Sequence, residues 1–115
     1  MKPESRVGVI GLDSGFVIEL QRRGASVTVR QPAKESDLIF VFVRRRDDLD
    51  DALAPLEPYL RRNGAIWVVR PKGSPNIKET DVIDAGKRAG LVDNKIASFS
   101  DTLSAMRLVI PVARR

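Results

Sequence analysis

Hydrophobic positions along this chain fall into two patterns, unbroken runs and spaced stripes. Asp37-Leu-Ile-Phe-Val-Phe-Val43 is an unbroken run, closed at once by Arg44, Arg45 and Arg46. Apolar residues without polar alternation suit a strand buried on both faces, as in parallel sheets covered by helices on each side. Ala65-Ile-Trp-Val-Val69 repeats the pattern and closes on Arg70-Pro-Lys-Gly73. Arg6 to Ile10 is a shorter strand ending at Gly11. Ala25 to Arg30 alternates Val27 and Val29 with Thr28 and Arg30, which suits a strand nearer a sheet edge.

Between the runs lie stripes with helical spacing. Phe16, Val17 and Leu20 give a modest apolar face to a helix that follows Gly11-Leu-Asp-Ser-Gly15, with Asp13 or Ser14 as its cap. Arg22 and Arg23 favour its C-terminal dipole, and Gly24 is its stop. Leu49, Leu53, Leu56 and Leu60 are spaced four, three and four apart and predict a second helix, with Asp47, Asp48, Asp50 and Asp51 in its first turns. Pro55 and Pro58 predict a kink or two short helical pieces, ended by Asn63-Gly64. A third helix is expected over about Thr80 to Ala89, stopped by Gly90. Leu91 to Phe99 and Ala105 to Val112 are strand-like runs joined only by Ser100-Asp-Thr-Leu-Ser104, so they form an antiparallel hairpin. The prediction is a single α/β domain over residues 1–115. It is a three-layer sandwich of four parallel strands with a C-terminal antiparallel hairpin at one edge.

Composition narrows the chemistry. Neither cysteine nor histidine occurs, which excludes disulfides, thiolate or imidazole metal ligands, cysteine nucleophiles and histidine bases, so no metal site is expected. No apolar run approaches the ~20 residues that span a bilayer. Met1-Lys-Pro-Glu-Ser-Arg6 leads straight into a strand without the apolar region of a signal peptide, so a cytoplasmic protein with no membrane partner is expected. Of the net charge of +5, the excess lies in the second half: residues 1–57 carry 9 basic and 10 acidic side chains, residues 58–115 carry 11 and 5. That balance favours anionic partners. Nucleic-acid binding is the weakest of the readings considered, because the phenylalanines fall in strands and helices and no nucleic-acid motif appears.

The order of elements resembles the Rossmann-like fold of S-adenosylmethionine-dependent methyltransferases, which finish with an antiparallel hairpin at a sheet edge. The resemblance implies a Rossmann-like three-layer sandwich with the four parallel strands in the order 2-1-3-4. Leu60-Arg-Arg-Asn-Gly-Ala-Ile-Trp-Val68 is similar to the segment in which a helix of that fold ends at a glycine turn before an apolar strand. Ala89-Gly-Leu-Val-Asp93 resembles the entry to its terminal hairpin. More narrowly, Ala65 to Lys72, Gly90-Leu-Val-Asp93 and Asp101-Thr-Leu-Ser104 are similar to a small uncharacterised bacterial family related to these enzymes. That family often carries a tryptophan and a glycine where Leu103 and Ala105 stand here.

The resemblance implies a glycine-rich loop after the first strand, matched loosely by Gly8, Gly11 and Gly15. It also implies an acid ending the second strand to hold the cofactor's ribose, and Val27-Thr-Val-Arg-Gln31 has none. A helical cover over the cofactor is implied too, for which Met1 to Ser5 leave little chain. The expectation is therefore a domain with no catalytic residues and no required cofactor, binding an anionic small molecule or a protein partner. The alternative is a minimal S-adenosylmethionine-dependent methyltransferase completed by a partner.

The candidate ligand site follows from the strand ends. Arg30, Arg44 to Arg46, and Arg70 with Lys72 all follow C-terminal ends of inferred parallel strands, and Gly11 closes the remaining one. The order 2-1-3-4 puts the topological switch beside Gly11 and Arg44. Gly11, Ser14 and Gly15 can offer backbone N–H groups at a helix N-terminus, and Arg44, Arg70 and Lys72 can supply cations to a phosphate or carboxylate. The competing reading pairs the arginines with Asp47, Asp48, Asp50 and Asp51 as a solvated edge. Trp67 is expected in the core. Ser14 lacks both the spacing of a nucleophile elbow and a histidine to activate it.

Overall fold

The computed structural model describes residues 4–115; Met1-Lys-Pro3, expected to be a plain lead-in to the first strand, lies outside them. Six strands, β1 (Arg6–Ile10), β2 (Ser26–Val29), β3 (Ser36–Phe42), β4 (Leu60–Pro71), β5 (Val92–Ser98) and β6 (Leu103–Val109), form one sheet in the order β2-β1-β3-β4-β6-β5. β2, β1, β3 and β4 are parallel, as the hydrophobic pattern predicts. β6 runs antiparallel to both β4 and β5, so it alone of the six opposes the rest and β5 points the same way as β4.

Helices α1 (Ser14–Arg22), α2 (Leu49–Leu53) and α3 (Glu79–Arg88) complete three layers, but unequally. Crossovers between parallel strands are right-handed, so the direction of travel across the sheet decides which face a connection covers. β1 to β2 moves one way and puts α1 on the first face. β2 to β3, β3 to β4 and β4 to β5 all move the other way and load the second face. There Ile39, Val41, Ile66, Val68, Met106 and Leu108 are buried under Leu49 and Leu53 of α2 and Val82 and Ala85 of α3. Each such aliphatic side chain contributes about 1.5–3 kcal/mol on burial. The first face holds a smaller cluster of Val7, Val9, Leu20 and Ala25, with Phe16, Leu38 and Phe40 packed against it.

Two expectations are corrected. The leucine stripe breaks into short helical pieces as the prolines predict, a 3-10 turn at Arg46–Asp48, the five-residue α2 and a second 3-10 turn at Glu57–Tyr59, but the last of them ends before Leu60 and not at Asn63-Gly64. Pro55 and Pro58 offer no N–H to a helical ladder, so the chain leaves the helix after Leu53 and already enters β4 at Leu60. Arg61 to Gly64 are strand, not helix end, although Leu49, Leu53, Leu56 and Leu60 are all buried as the stripe requires. Secondly, β3 is not buried on both faces. Ile39 and Val41 are, but Leu38, Phe40 and Phe42 on the α1 side are only partly covered.

The unequal layers make a direct prediction. Leu108→Ala removes a fully buried side chain from beneath α3 and should cost about 3 kcal/mol. Ile96→Ala, on the exposed edge strand, should cost less than about 0.5 kcal/mol. Urea denaturation of both variants checks the contrast.

Candidate functional site

In open parallel sheets, ligands lie outside the carboxyl ends of strands where the strand order reverses. Here that point falls between β1 and β3. A cleft of about 310 Å³ opens there, floored by Ile10, Val41 and Phe42. Arg30 and Gln31 wall it after β2, and Asp51 and Pro55 wall it from the α2 side. Ligand pockets run from ~300 to 1,000 Å³, so a single small molecule fits.

The β2–β3 connection shapes this cleft. It crosses β1 with Pro32 seated on Gly8, where a Cβ would lie 3.0 Å from the Pro32 Cβ and would push the connection outward. Gly8, loosely part of the predicted glycine loop, thus serves packing. Arg30 adopts a left-handed backbone with φ of 73°, unusual for a residue with a side chain. Its N–H donates to the Val9 carbonyl at 3.1 Å, which fixes it at the rim. Gln31 Nε2 donates to the Tyr59 hydroxyl at 2.8 Å and ties the connection to the turn before β4.

The residues singled out from the sequence divide into groups. Gly11 makes the sharp exit from β1 at φ 79°, and a Cβ there would meet the Phe42 Cβ at 3.3 Å. The Arg44 guanidinium lies 5.6 Å from the Phe42 ring centroid, so Gly11 and Arg44 both lie against Phe42, one at its backbone and one at its ring. Ser14 opens α1, and Asp13 is its cap: Oδ1 accepts from the Phe16 N–H at 2.9 Å. That oxygen also sits 3.2 Å from where a Gly15 Cβ would be, so the chain's own carboxylate occupies the helix N-terminus. Arg70 is partly buried, its Nη1 at 3.5 Å from the Pro71 carbonyl. Lys72 turns away from Gly11, its Nζ donating to Ser98 Oγ on β5 at 2.7 Å.

The acids after Arg46 do not neutralise the three arginines as a block. Arg46 lies 3.8 Å from Asp47, while Asp50 pairs with Arg88 of α3 at 2.9 Å. Arg45 and Arg46 instead line a smaller cleft of about 190 Å³ with Asn76. Among the described residues no group of three or more acidic, histidine or cysteine side chains could hold a metal. No described helix is long and apolar enough to cross a membrane. Sequence reasoning noted Arg30 among the strand-end cations and Asp51 only as a helix-start acid and arginine partner, and it gave Gln31 and Tyr59 no role. The available signal was Gln31-Pro32 directly after a strand, which marks a constrained turn.

Sheet order, the antiparallel β6 and the switch-point cleft define a methyltransferase-like α/β domain. The chain is similar to magnesium protoporphyrin IX methyltransferase (ChlM) from Synechocystis PCC 6803 with bound SAM, at a TM-score of 0.74 and 14% identity, over 95% of this chain and 71% of that one. A SAM-dependent methyltransferase from Aquifex aeolicus matches at TM-score 0.72 and 13% identity, over 96% of this chain and 84% of the other. LepI in complex with SAH and a substrate analogue matches at 0.69 and 11%, and this chain spans only 43% of its length. At such identities the likeness is one of fold. No curated protein matches the chain in sequence. Residues 18–112 match the family model DUF3052, protein of unknown function, and the chain belongs to that family.

The capped helix gives the second prediction. Asp13→Ala should lower stability by about 1 kcal/mol, and Asp13→Asn should retain most of it, because asparagine caps equally well. Thermal melts followed by circular dichroism distinguish the two.

Proposed function

We propose that this domain is a non-catalytic binding module on the methyltransferase fold, which takes a small anionic molecule in the cleft between β1 and β3. The observation that carries the reading is Arg30 at the rim, where the methyltransferase resemblance implies an acid. A carboxylate there would accept hydrogen bonds from ribose hydroxyls. A guanidinium only donates, so it selects an acceptor-rich group such as phosphate or carboxylate. Gly11 and Arg44 stand on the same sheet edge beside Phe42, whereas Asp13 fills the helix N-terminus at Ser14 and Gly15 and Lys72 turns to Ser98, so the reading rests on Arg30. The absence of histidine and cysteine leaves any chemistry to Asp, Glu, Lys, Tyr, Ser or a bound cofactor.

A second reading, S-adenosylmethionine bound in the same cleft, is favoured by Asp51. Its place in the opposite wall offers the carboxylate that the end of β2 lacks.

Melting the protein in phosphate, sulfate and chloride at equal ionic strength tests the first reading, since a ligand of the folded state stabilises it by mass action. Phosphate and sulfate should raise Tm more than chloride, and Arg30→Gln should abolish the difference. Titration calorimetry with S-adenosylmethionine should show no heat of binding. Micromolar affinity, lost in Asp51→Asn, would replace the first reading with the second.

A further inference from the structure

The first face of the sheet carries a helix over β1, β2 and part of β3, and is open beyond them. Across that opening Phe40, Trp67, Arg107 and Lys95 are successive Cα partners on β3, β4, β6 and β5, so all four project from the same face. Phe40 and Trp67 stack nearly parallel, with centroids 6.4 Å apart and planes at 8°. Phe99 folds back from the β5–β6 turn to within 5.0 Å of Phe16 and 6.4 Å of Phe40, raising a wall over the sheet. Two concavities result. One of about 240 Å³ is lined by Phe40, Trp67, Phe99 and Ala105. The other, about 400 Å³, is lined by Leu38, Trp67 and Arg107 with Asp37. Trp67 borders both.

The charges on this face are unbalanced. Arg107 and Lys95 are directly opposed like charges, an arrangement that destabilises a strand pair. Neither side chain makes an ion pair or hydrogen bond among the described residues. Asp37, the acid lining the larger concavity, is already engaged: Oδ2 accepts the Arg6 N–H at 2.8 Å and Oδ1 lies 3.3 Å from Arg61 Nε. An apolar, aromatic-walled floor thus ends at two cations that have no counter-charge among the described residues.

We propose that this face binds an amphiphilic monocarboxylate. Its apolar chain lies along Trp67 between Phe40 and Phe99, and its carboxylate pairs with Arg107, with Lys95 alongside. Burial of the chain supplies the affinity, and the guanidinium fork sets orientation by donating two parallel hydrogen bonds to the carboxylate. Small-molecule pockets share this composition, mostly apolar with a few convergent polar groups. The site lies apart from the cleft between β1 and β3 and shares no residue with it.

Trp67 is the single tryptophan of the chain, so its emission reports on this face alone. Titration of the full chain with decanoate, kept below its micelle concentration, should shift that emission saturably. Decanol, and decanoate with Arg107→Gln, should bind at least about tenfold more weakly. Ala97→Phe, which fills the smaller concavity from its half-buried rim and leaves both cations in place, should also lose the shift. The proposal is overturned if decanoate gives no saturable change, or if decanol or the Arg107→Gln protein matches the original affinity. A cooperative melt of each variant separates lost binding from lost folding, and the phosphate response that depends on Arg30 should persist in both.

Discussion

A chain that leaves one parallel strand and returns to another turns right-handedly, and this constraint arranges nearly everything else in the domain. Three of the four crossovers travel in the same direction across the sheet, so α2, α3 and the Pro32 connection share one face. Only the β1-to-β2 step travels back, so α1 stands alone on the other. The reversal between those two directions is the gap between β1 and β3, where a cleft must open because neighbouring connections diverge to opposite faces. One topological fact therefore fixes the large core, the half-covered face and the cleft together.

The same order explains the far edge. β6 enters between β4 and β5, so the apolar β6 is paired on both sides while β5 becomes the boundary. β5 is accordingly polar and exposed along most of its length, with a register irregularity between Asp93 and Lys95. Charge and a bulge on an edge strand discourage another chain from adding to the sheet. Lys95 serves this purpose, and it also stands opposite Arg107 on the open face. Edge protection accounts for one cation there but not for the second, which lies inward on a fully paired strand.

Strand identity was legible in the sequence because unbroken apolar runs and glycine stops are local signals, whereas strand order followed from the resemblance to the methyltransferase fold. Exposure was not. In Leu38 to Val43 every position is apolar, so no alternation shows that Phe40 and Phe42 face a thinner layer than Ile39 and Val41. Trp67 was expected in the core for the same reason, and it instead stacks on Phe40 at the border of two concavities. The leucine stripe from Leu49 to Leu60 reported burial correctly but not conformation, since a strand that begins at Leu60 can complete the same buried row. For the site, the cluster of arginines was visible but their directions were not. Lys72 is drawn to Ser98 and Asp13 fills the helix N-terminus, and both outcomes depend on contacts across the fold rather than along the chain.

The end of β2 is where local rules give way. Only Arg30 to Glu35 separate β2 from β3, whereas a parallel crossover ordinarily takes a dozen or more residues, usually with a helix. So short a path has to turn sharply at both ends, and both ends do: Arg30 and Glu35 hold φ of 73° and 60°. Between them Pro32 presses onto Gly8, and nearby the Thr28 hydroxyl is buried without a hydrogen-bond partner among the described residues. Such departures cost of order 1–3 kcal/mol each, and the well-packed second face is what sustains them. A longer crossover with its own helix would have room to relieve the strain. Arg30 itself is held at the mouth of the switch point by the β1–β2 ladder, through its N–H bond to the Val9 carbonyl, so the sharp turn begins from a fixed cation.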